Sequence, residues 1–273
     1  MKKVLLITGC SSGIGLDTAL ALKDQYTVIA TARKDEDVKK LKQLGFLTYK
    51  LDVTQTQDID FVLEDILKNH QNIYAVFNNA GYGQPGAVED ISKDALKEQF
   101  ETNFFGMWEL TTKVLKIFRK QGYGRVINHS SVLGLVSLKF RGAYNASKYA
   151  IEAMNDTLRL ELNDQKDIFV ISLNTGPVRS NFRKNATKMF YKYIDKNRSH
   201  FKTEYENELL ELENRKKDDP FTRDSDVVIR NIKDALSSTK PKPRYFNTEA
   251  TYILAFLKRV LPTSLLDKIL VKI

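Results

Sequence analysis

Thr8-Gly9-Cys10-Ser11-Ser12-Gly13-Ile14-Gly15 is the stretch on which the fold turns. It follows the apolar run Val4-Leu5-Leu6-Ile7 directly and leads straight into a helical pattern from Ile14. The glycines therefore sit at the first strand-to-helix turn of the chain. A turn so placed has a chemical use. Glycines let bare backbone approach an anion, and the first turn of a helix offers unpaired N–H groups and a partial positive charge. Gly9, Ser11, Ser12, Gly13, Ile14 and Gly15 are thus expected to cradle a phosphate group of a dinucleotide.

Outward from this turn, short apolar runs alternate with longer helical patterns. Strands are predicted at 4–8, 27–31, 47–51, 73–78, 125–129 and 168–174, and helices at 14–23, 35–44, 57–69, 93–120 and 143–163. Each strand is rich in Val, Ile, Leu or aromatics, as needed for a sheet covered on both faces. Repeated β-α units with right-handed crossovers give a parallel sheet, so the expected class is a doubly wound α/β, Rossmann-type fold. Thr54-x-x-Gln57 has the form of a capping box opening the third helix. The rhythm changes after Asn174. Residues 183–220 are predicted to form a helical insertion over the site, a short strand is expected at 244–246, and 248–273 form an amphipathic helical tail broken at Pro262. No linker divides the chain, so residues 1–273 are expected to form one domain.

Composition narrows the function. A chain of 273 residues with 42% hydrophobic side chains can build a large core without staples, and its one cysteine allows no internal disulfide. The N-terminal apolar run is too short for a signal peptide, and no apolar stretch would span a bilayer. A cytoplasmic location is expected. The net charge of +9 comes from basic residues mixed with acids, as in Lys34-Asp35-Glu36-Asp37, so no nucleic-acid partner is expected. The three histidines and the cysteine show no metal-ligand spacing, so no metal is expected.

Two further features carry chemistry. The second strand ends Ala30-Thr31-Ala32-Arg33, with no acid before Asp35. An acid there would suit the ribose hydroxyls of NAD, whereas a guanidinium suits the 2′-phosphate of NADP. NADP(H) is the expected cofactor. Tyr144 and Lys148 lie four apart at a predicted helix start, on one face about one turn apart. A phenol titrates near 10, and a nearby ammonium together with a positive nicotinamide should lower that value and let it work as acid or base. With twelve tyrosines in a lysine-rich chain, the pair gains weight only from its position after the fifth strand.

The G-x-x-x-G-x-G spacing resembles that of the short-chain dehydrogenase/reductase superfamily. Asp52-Val53, Asn78-Asn79-Ala80-Gly81 and Tyr144-x-x-x-Lys148 follow in that family's order, so the resemblance runs over about residues 3–182. It implies a hydride transfer between nicotinamide and a carbonyl or alcohol carbon. By the same resemblance Asp52 and Val53 would meet the adenine, and Asn79, with Ala80 and Gly81, would pack by the sugars. Ser131, 13 residues before Tyr144, would hydrogen-bond the substrate oxygen, with Ser130 as the neighbouring alternative. Asn103 would hold a water that links Lys148 to solvent, or serve as a buried packing amide. The family's usual proline and threonine are replaced by Thr175 and Ser180, and Val178 backbone with the Ser180 hydroxyl would reach the nicotinamide carboxamide. The insertion and tail are similar to those of steroid and retinol dehydrogenases and bacterial aldehyde reductases, which implies an apolar aldehyde or ketone as the small-molecule substrate. A homo-oligomer is expected. The tail mixes leucines with Lys258, Arg259, Lys268 and Lys272, which suits weak contact with a membrane surface as well as packing on the body. A non-catalytic NADP(H)-sensing regulator is the rival reading, although it has no reason to keep Ser131, Tyr144 and Lys148 together.

Overall fold

The computed structural model describes residues 2–207 and 221–273. Seven strands form one sheet: β1 (Val4–Ile7), β2 (Thr27–Ala32), β3 (Leu47–Lys50), β4 (Ala75–Asn78), β5 (Gly124–Ser131), β6 (Ile168–Thr175) and β7 (Arg244–Phe246). Their order is β3-β2-β1-β4-β5-β6-β7, and every neighbouring pair is parallel. The chain winds outward in one direction from β1 and in the other from β4. That reversal opens a crevice at the carboxyl ends of β1 and β4, where such sheets bind ligands.

The strands are apolar on both faces because both are covered. In β1, Val4 and Leu6 enter one core, with Ile59, Val62 and Ile66 of α3 (Thr56–His70) and Val114 and Phe118 of α5 (Gly106–Gln121). Leu5 and Ile7 enter the other, with Ala19 and Leu22 of α1 (Gly13–Leu22) and Val228, Ile232 and Leu236 of α8 (Asp226–Ser237). Full burial of each such side chain contributes about 1.5–3 kcal/mol, so a polar residue in β1 would be costly. A polar ladder crosses the sheet deeper in. Asn78 donates to Asn128 Oδ1 at 2.8 Å, Asn128 to Asn155 Oδ1 at 2.6 Å, and Asn155 to Ser172 Oγ at 2.7 Å. These buried amides hold β4, β5 and β6 to α6 (Gly142–Glu161), the helix that carries Tyr144 and Lys148.

Two local readings are corrected. No capping box opens α3: Gln55 precedes it without a side-chain cap, and Thr54 instead gives its backbone N–H and hydroxyl to Asp52 Oδ1 at 3.0 and 2.8 Å. Asp52 takes the backbone N–H that the Gln57 side chain would accept in a capping box, and the helix begins only at Thr56. The helix predicted over 93–120 is divided into α4 (Lys93–Phe100) and α5 by a π turn, Glu101–Phe105. The predicted insertion is helical where described: α7 (Phe182–Tyr193) and residues 202–207. Its part over 208–220 lies outside the described residues. The tail forms α9 (Glu249–Val260) and α10 (Thr263–Leu270), with Pro262 between them.

Candidate active site

The glycine turn is built by close packing. Gly9 has φ +72°, and a side chain there would place its first carbon 2.8 Å from Ala80 Cα. At Gly15 it would lie 2.4 Å from Gly9 O. Asn79 locks the turn, donating from Nδ2 to Thr8 O and Gly9 O at 3.0 Å each, while Thr8 Oγ1 accepts from Asn79 N and Ala80 N at 3.0 Å. Ser12, the residue before α1, makes no side-chain cap, so the first N–H groups of that helix are left for another acceptor. Gly13 faces the loop after β6, with Ser180 Cβ 3.2 Å from the position a side-chain carbon would take.

The remaining expected contacts of the dinucleotide divide into two groups. Arg33 is exposed just beyond β2, where the Glu98 carboxylate feels its charge, and the next acid in the sequence, Asp35, is turned to Lys50 at 2.8 Å. Gly81 lies against Asn103, 3.1 Å from its Oδ1 by the same construction. Val53, by contrast, is buried in the core. The Asp52 carboxylate is engaged by Thr54, Val178 is partly buried against the core, and Ser180 Oγ accepts from Phe182 N at 3.3 Å.

Ser131, Tyr144 and Lys148 are brought together and buried at the carboxyl end of β5. The Ser131 hydroxyl lies close enough to Tyr144 to favour the charged form of its phenol, and it donates to Thr175 O at 3.3 Å. The Lys148 ammonium is 5.6 Å from the Tyr144 ring centre and donates to His129 O at 2.6 Å. Burial pushes the Tyr144 phenol up to about 12, partly offset by the nearby Ser131 hydroxyl. Burial also brings Lys148 down to about 8, partly offset by the Glu152 carboxylate one turn further along α6. The lysine alone therefore does not lower the phenol; the lowering expected from the sequence requires the ammonium together with a positive nicotinamide. Desolvation outweighs an ammonium that is directed at a backbone carbonyl.

Three residues with little to single them out in the sequence, His129, Thr175 and Asn247, tie this cluster to the glycine turn. His129 Nδ1 is 3.0 Å from Asn79 Oδ1, and its Nε2 is 2.9 Å from Thr175 Oγ1. Asn247 Nδ2 donates to the same Thr175 oxygen at 2.7 Å. Because the Asn79 amide nitrogen is already spent on two carbonyls, its oxygen must accept. Nδ1 therefore carries the proton, and Thr175 donates to Nε2. Burial, with the Lys148 charge, takes His129 down to about 3 and keeps it neutral. His129 thus touches the cofactor-side asparagine with its ring and the lysine with its carbonyl. Its position beside Ser130 and Ser131 was the one available signal.

Asn103 sits in the π turn. Its Nδ2 donates to Tyr82 O at 2.8 Å and its Oδ1 accepts from Tyr82 N at 3.0 Å. Gln99, one turn earlier, donates to the same Tyr82 O at 2.9 Å and accepts from Gln84 N at 2.7 Å. Two amides from one helix thus hold the 81–84 loop as a neighbouring strand would. The opposite wall is apolar. Val132, Leu133, Val136 and Tyr144 pack with Leu254 and Leu257 of α9. Phe182, the first residue of α7, stands edge-on to Tyr144 with ring centres 5.4 Å apart.

The sequence matches the family model described as short chain dehydrogenase over residues 3–190. The chain is a short-chain dehydrogenase. It is 38% identical over 272 residues to the Escherichia coli (strain K12) protein named uncharacterized oxidoreductase YbbO, covering 99% of this chain and 94% of that one. It is 35% identical over 191 residues to human retinol dehydrogenase 8, covering 66% of this chain and 60% of the relative. Among solved structures, a short-chain dehydrogenase from Streptomyces avermitilis superposes with a TM-score of 0.78 at 28% identity, covering 98% of this chain and 93% of that one. This short-chain dehydrogenase is accordingly an oxidoreductase of that family, acting on a small molecule. No helix among its described residues is long and apolar enough to cross a membrane.

Proposed function

We propose that this short-chain dehydrogenase reduces an apolar aldehyde or ketone with NADPH, Tyr144 giving its phenolic proton to the carbonyl oxygen. The observation that carries the reading is the burial of Ser131, Tyr144 and Lys148 in one cluster beside the glycine turn. The residues present fit the dinucleotide. Side chains are excluded at Gly9 and Gly15, the α1 N–H groups are uncapped, and Arg33 is exposed while Asp35 is occupied by Lys50. Gly9, Ser11, Ser12, Gly13, Ile14 and Gly15 would hold the diphosphate and Arg33 the 2′-phosphate. Asn79, Ala80 and Gly81 would lie by the sugars, Asp52 and Val53 by the adenine, and Val178 and Ser180 by the carboxamide. Bound NADPH would supply the hydride.

The chain's own residues would do the rest. Ser131 donates a hydrogen bond to the substrate oxygen and stabilises the negative charge that develops there. Tyr144, held protonated at neutral pH by its burial, is poised as the acid that reduction requires. Lys148, anchored by His129 O, faces the phenol ring and restores positive potential as the proton leaves. The apolar character of the substrate is supported by Leu133, Val136, Leu254, Leu257 and Phe182 around the tyrosine. The similarity to retinol dehydrogenase 8 points the same way. Insertion and tail belong to the same domain in this reading, since Leu254 packs with Tyr144, and Tyr205 is buried against Ala87. A homo-oligomer is supported by exposed Leu96 on α4, Phe105 in the π turn and Trp108 on α5.

The test is NADPH oxidation over a panel of aliphatic aldehydes, retinoids and steroid ketones. Turnover of apolar members with NADPH, and much weaker turnover with NADH, is expected. Tight NADPH binding with no turnover across the panel would favour a cofactor-sensing regulator instead.

A further inference from the structure

Helix α9 differs from an ordinary surface helix in being apolar on its outward side as well as its inward one. Thr251 and Leu254 are buried, and Leu254 and Leu257 pack toward the active-site tyrosine. The outward side, which should be polar, instead carries Tyr252, Ile253, Phe256 and Val260, exposed by 58, 50, 64 and 52%. Their spacing (i, i+1, i+4, i+8) places them in one continuous ridge along the helix. Single exposed apolar residues are ordinary, but a ridge of four on one helix marks an interaction surface. Leu265, Val271 and Ile273 extend the exposed apolar surface in and beyond α10.

Charge narrows what can cover it. Residues 249–273 carry four basic side chains, Lys258, Arg259, Lys268 and Lys272, against two acids, Glu249 and Asp267. Glu249 is already paired with Arg223 at 3.0 Å. None of the four cations has an ion-pair partner among the described residues. Beside the ridge, a cleft of about 330 Å³ between the tail and residues 136–139 adds one further cation, Lys139, to Lys258 and Asp267 of the tail. A second copy packed on this patch would bring the same excess of cations to the interface and no further source of acid to offset it. An anionic bilayer offers what the patch lacks, headgroup phosphates for the cations and hydrocarbon for the rings.

We infer that the outward face of α9, with the cations of α9 and α10, docks the protein on the surface of an anionic membrane. The helix then lies between the bilayer and Tyr144, and an apolar substrate dissolved in lipid enters from that side. This second part rests on the proposed reductase reading, whereas the docking itself does not.

The experiment is co-sedimentation of the full chain with vesicles of phosphatidylcholine alone and of phosphatidylcholine mixed with phosphatidylglycerol, read alongside sedimentation velocity without lipid. Binding to the mixed vesicles is expected, falling as salt is raised, with little binding to phosphatidylcholine alone. Ile253→Ser with Phe256→Ser should abolish it, and Lys258→Gln with Arg259→Gln should weaken it by about fivefold for each cation removed. All four positions are exposed, so far-UV circular dichroism and NADPH affinity should remain those of the parent protein. The inference is overturned if the parent ignores mixed vesicles, or if both double variants bind like the parent. A shift of the Ile253/Phe256 variant from a larger to a smaller species, without vesicle binding by the parent, would assign the face to a second copy. Because sedimentation needs no turnover, vesicle binding stands or falls separately from the reductase reading.

Discussion

The two walls of the crevice are made of opposite materials. On the cofactor side, Thr8, Asn79, His129, Thr175 and Asn247 form a continuous chain of hydrogen bonds, each partner held at 2.7–3.0 Å. On the facing side, Leu133, Val136, Leu254, Leu257 and Phe182 meet through apolar contact. Hydrogen bonds demand particular atoms at particular places, and a buried donor or acceptor left without a partner costs about 1–3 kcal/mol. Apolar contact demands only volume and shape, which several side chains can supply. In the proposed reading the polar wall would therefore fix the chemistry, and the apolar wall would be free to choose the substrate.

Substitutions can break this contrast, and the largest effect should come where the two walls meet. Tyr144→Phe removes the transferable proton while keeping the ring, so kcat should fall roughly 10³-fold with NADPH affinity retained. Undiminished turnover would remove the tyrosine from the reaction. Arg33→Asp, outside both walls at the end of β2, should raise the Kd for NADPH about 100-fold through loss of charge-assisted bonds to a phosphate, with NADH affected far less. Equal losses for both cofactors would overturn the NADP(H) assignment. Phe182→Ala, on the apolar wall, should raise KM for apolar carbonyl compounds about fivefold and leave NADPH affinity alone. A matching loss for short polar aldehydes would show that the wall does not select.

The smallest effect concerns pH. His129 is held near 3 in the folded protein, against an ordinary value of 6.5, so only the unfolded chain takes up its proton between these limits. Stability from this group is complete above about 6.5 and is lost as pH falls toward 3. The Tm of the parent should thus decline from pH 6.5 to 5. His129→Gln, which keeps a polar group facing Thr175 but cannot take up a proton, should show a flatter profile in that window. Parallel slopes would remove the histidine as their source.

The same contrast explains what could be read in advance. The glycine turn, the six longer strands and the Tyr144–Lys148 pair were legible because each depends on local chemistry at fixed spacing. Gly9 must be bare where Ala80 approaches, and β1 must be apolar because both its faces are covered. The role of His129 was not legible, since it depends on Thr175, 46 residues away, and on Asn79, 50 residues away. The capping box at Thr54 failed because Asp52, two residues earlier, offers a competing acceptor. Lys148 was expected near the phenol, and only the fold reveals that His129 O draws its ammonium. Phe182 lay one residue outside the predicted insertion, and an aromatic there has no signature that separates site from surface.

The π turn at Glu101–Phe105 has a consequence for how the family could be edited. Such a turn holds one residue more than an α-helix of the same rise. Deleting a single residue such as Phe104 would let α4 and α5 fuse into one regular helix, both flanks keeping their phase toward the core. Asn103 would lose the geometry that grips Tyr82. A one-residue deletion here should leave the melting midpoint near that of the parent while disabling the enzyme. Shortening the chain at this point would cost the scaffold little and the reaction a great deal, the reverse of what deletion inside a helix normally does.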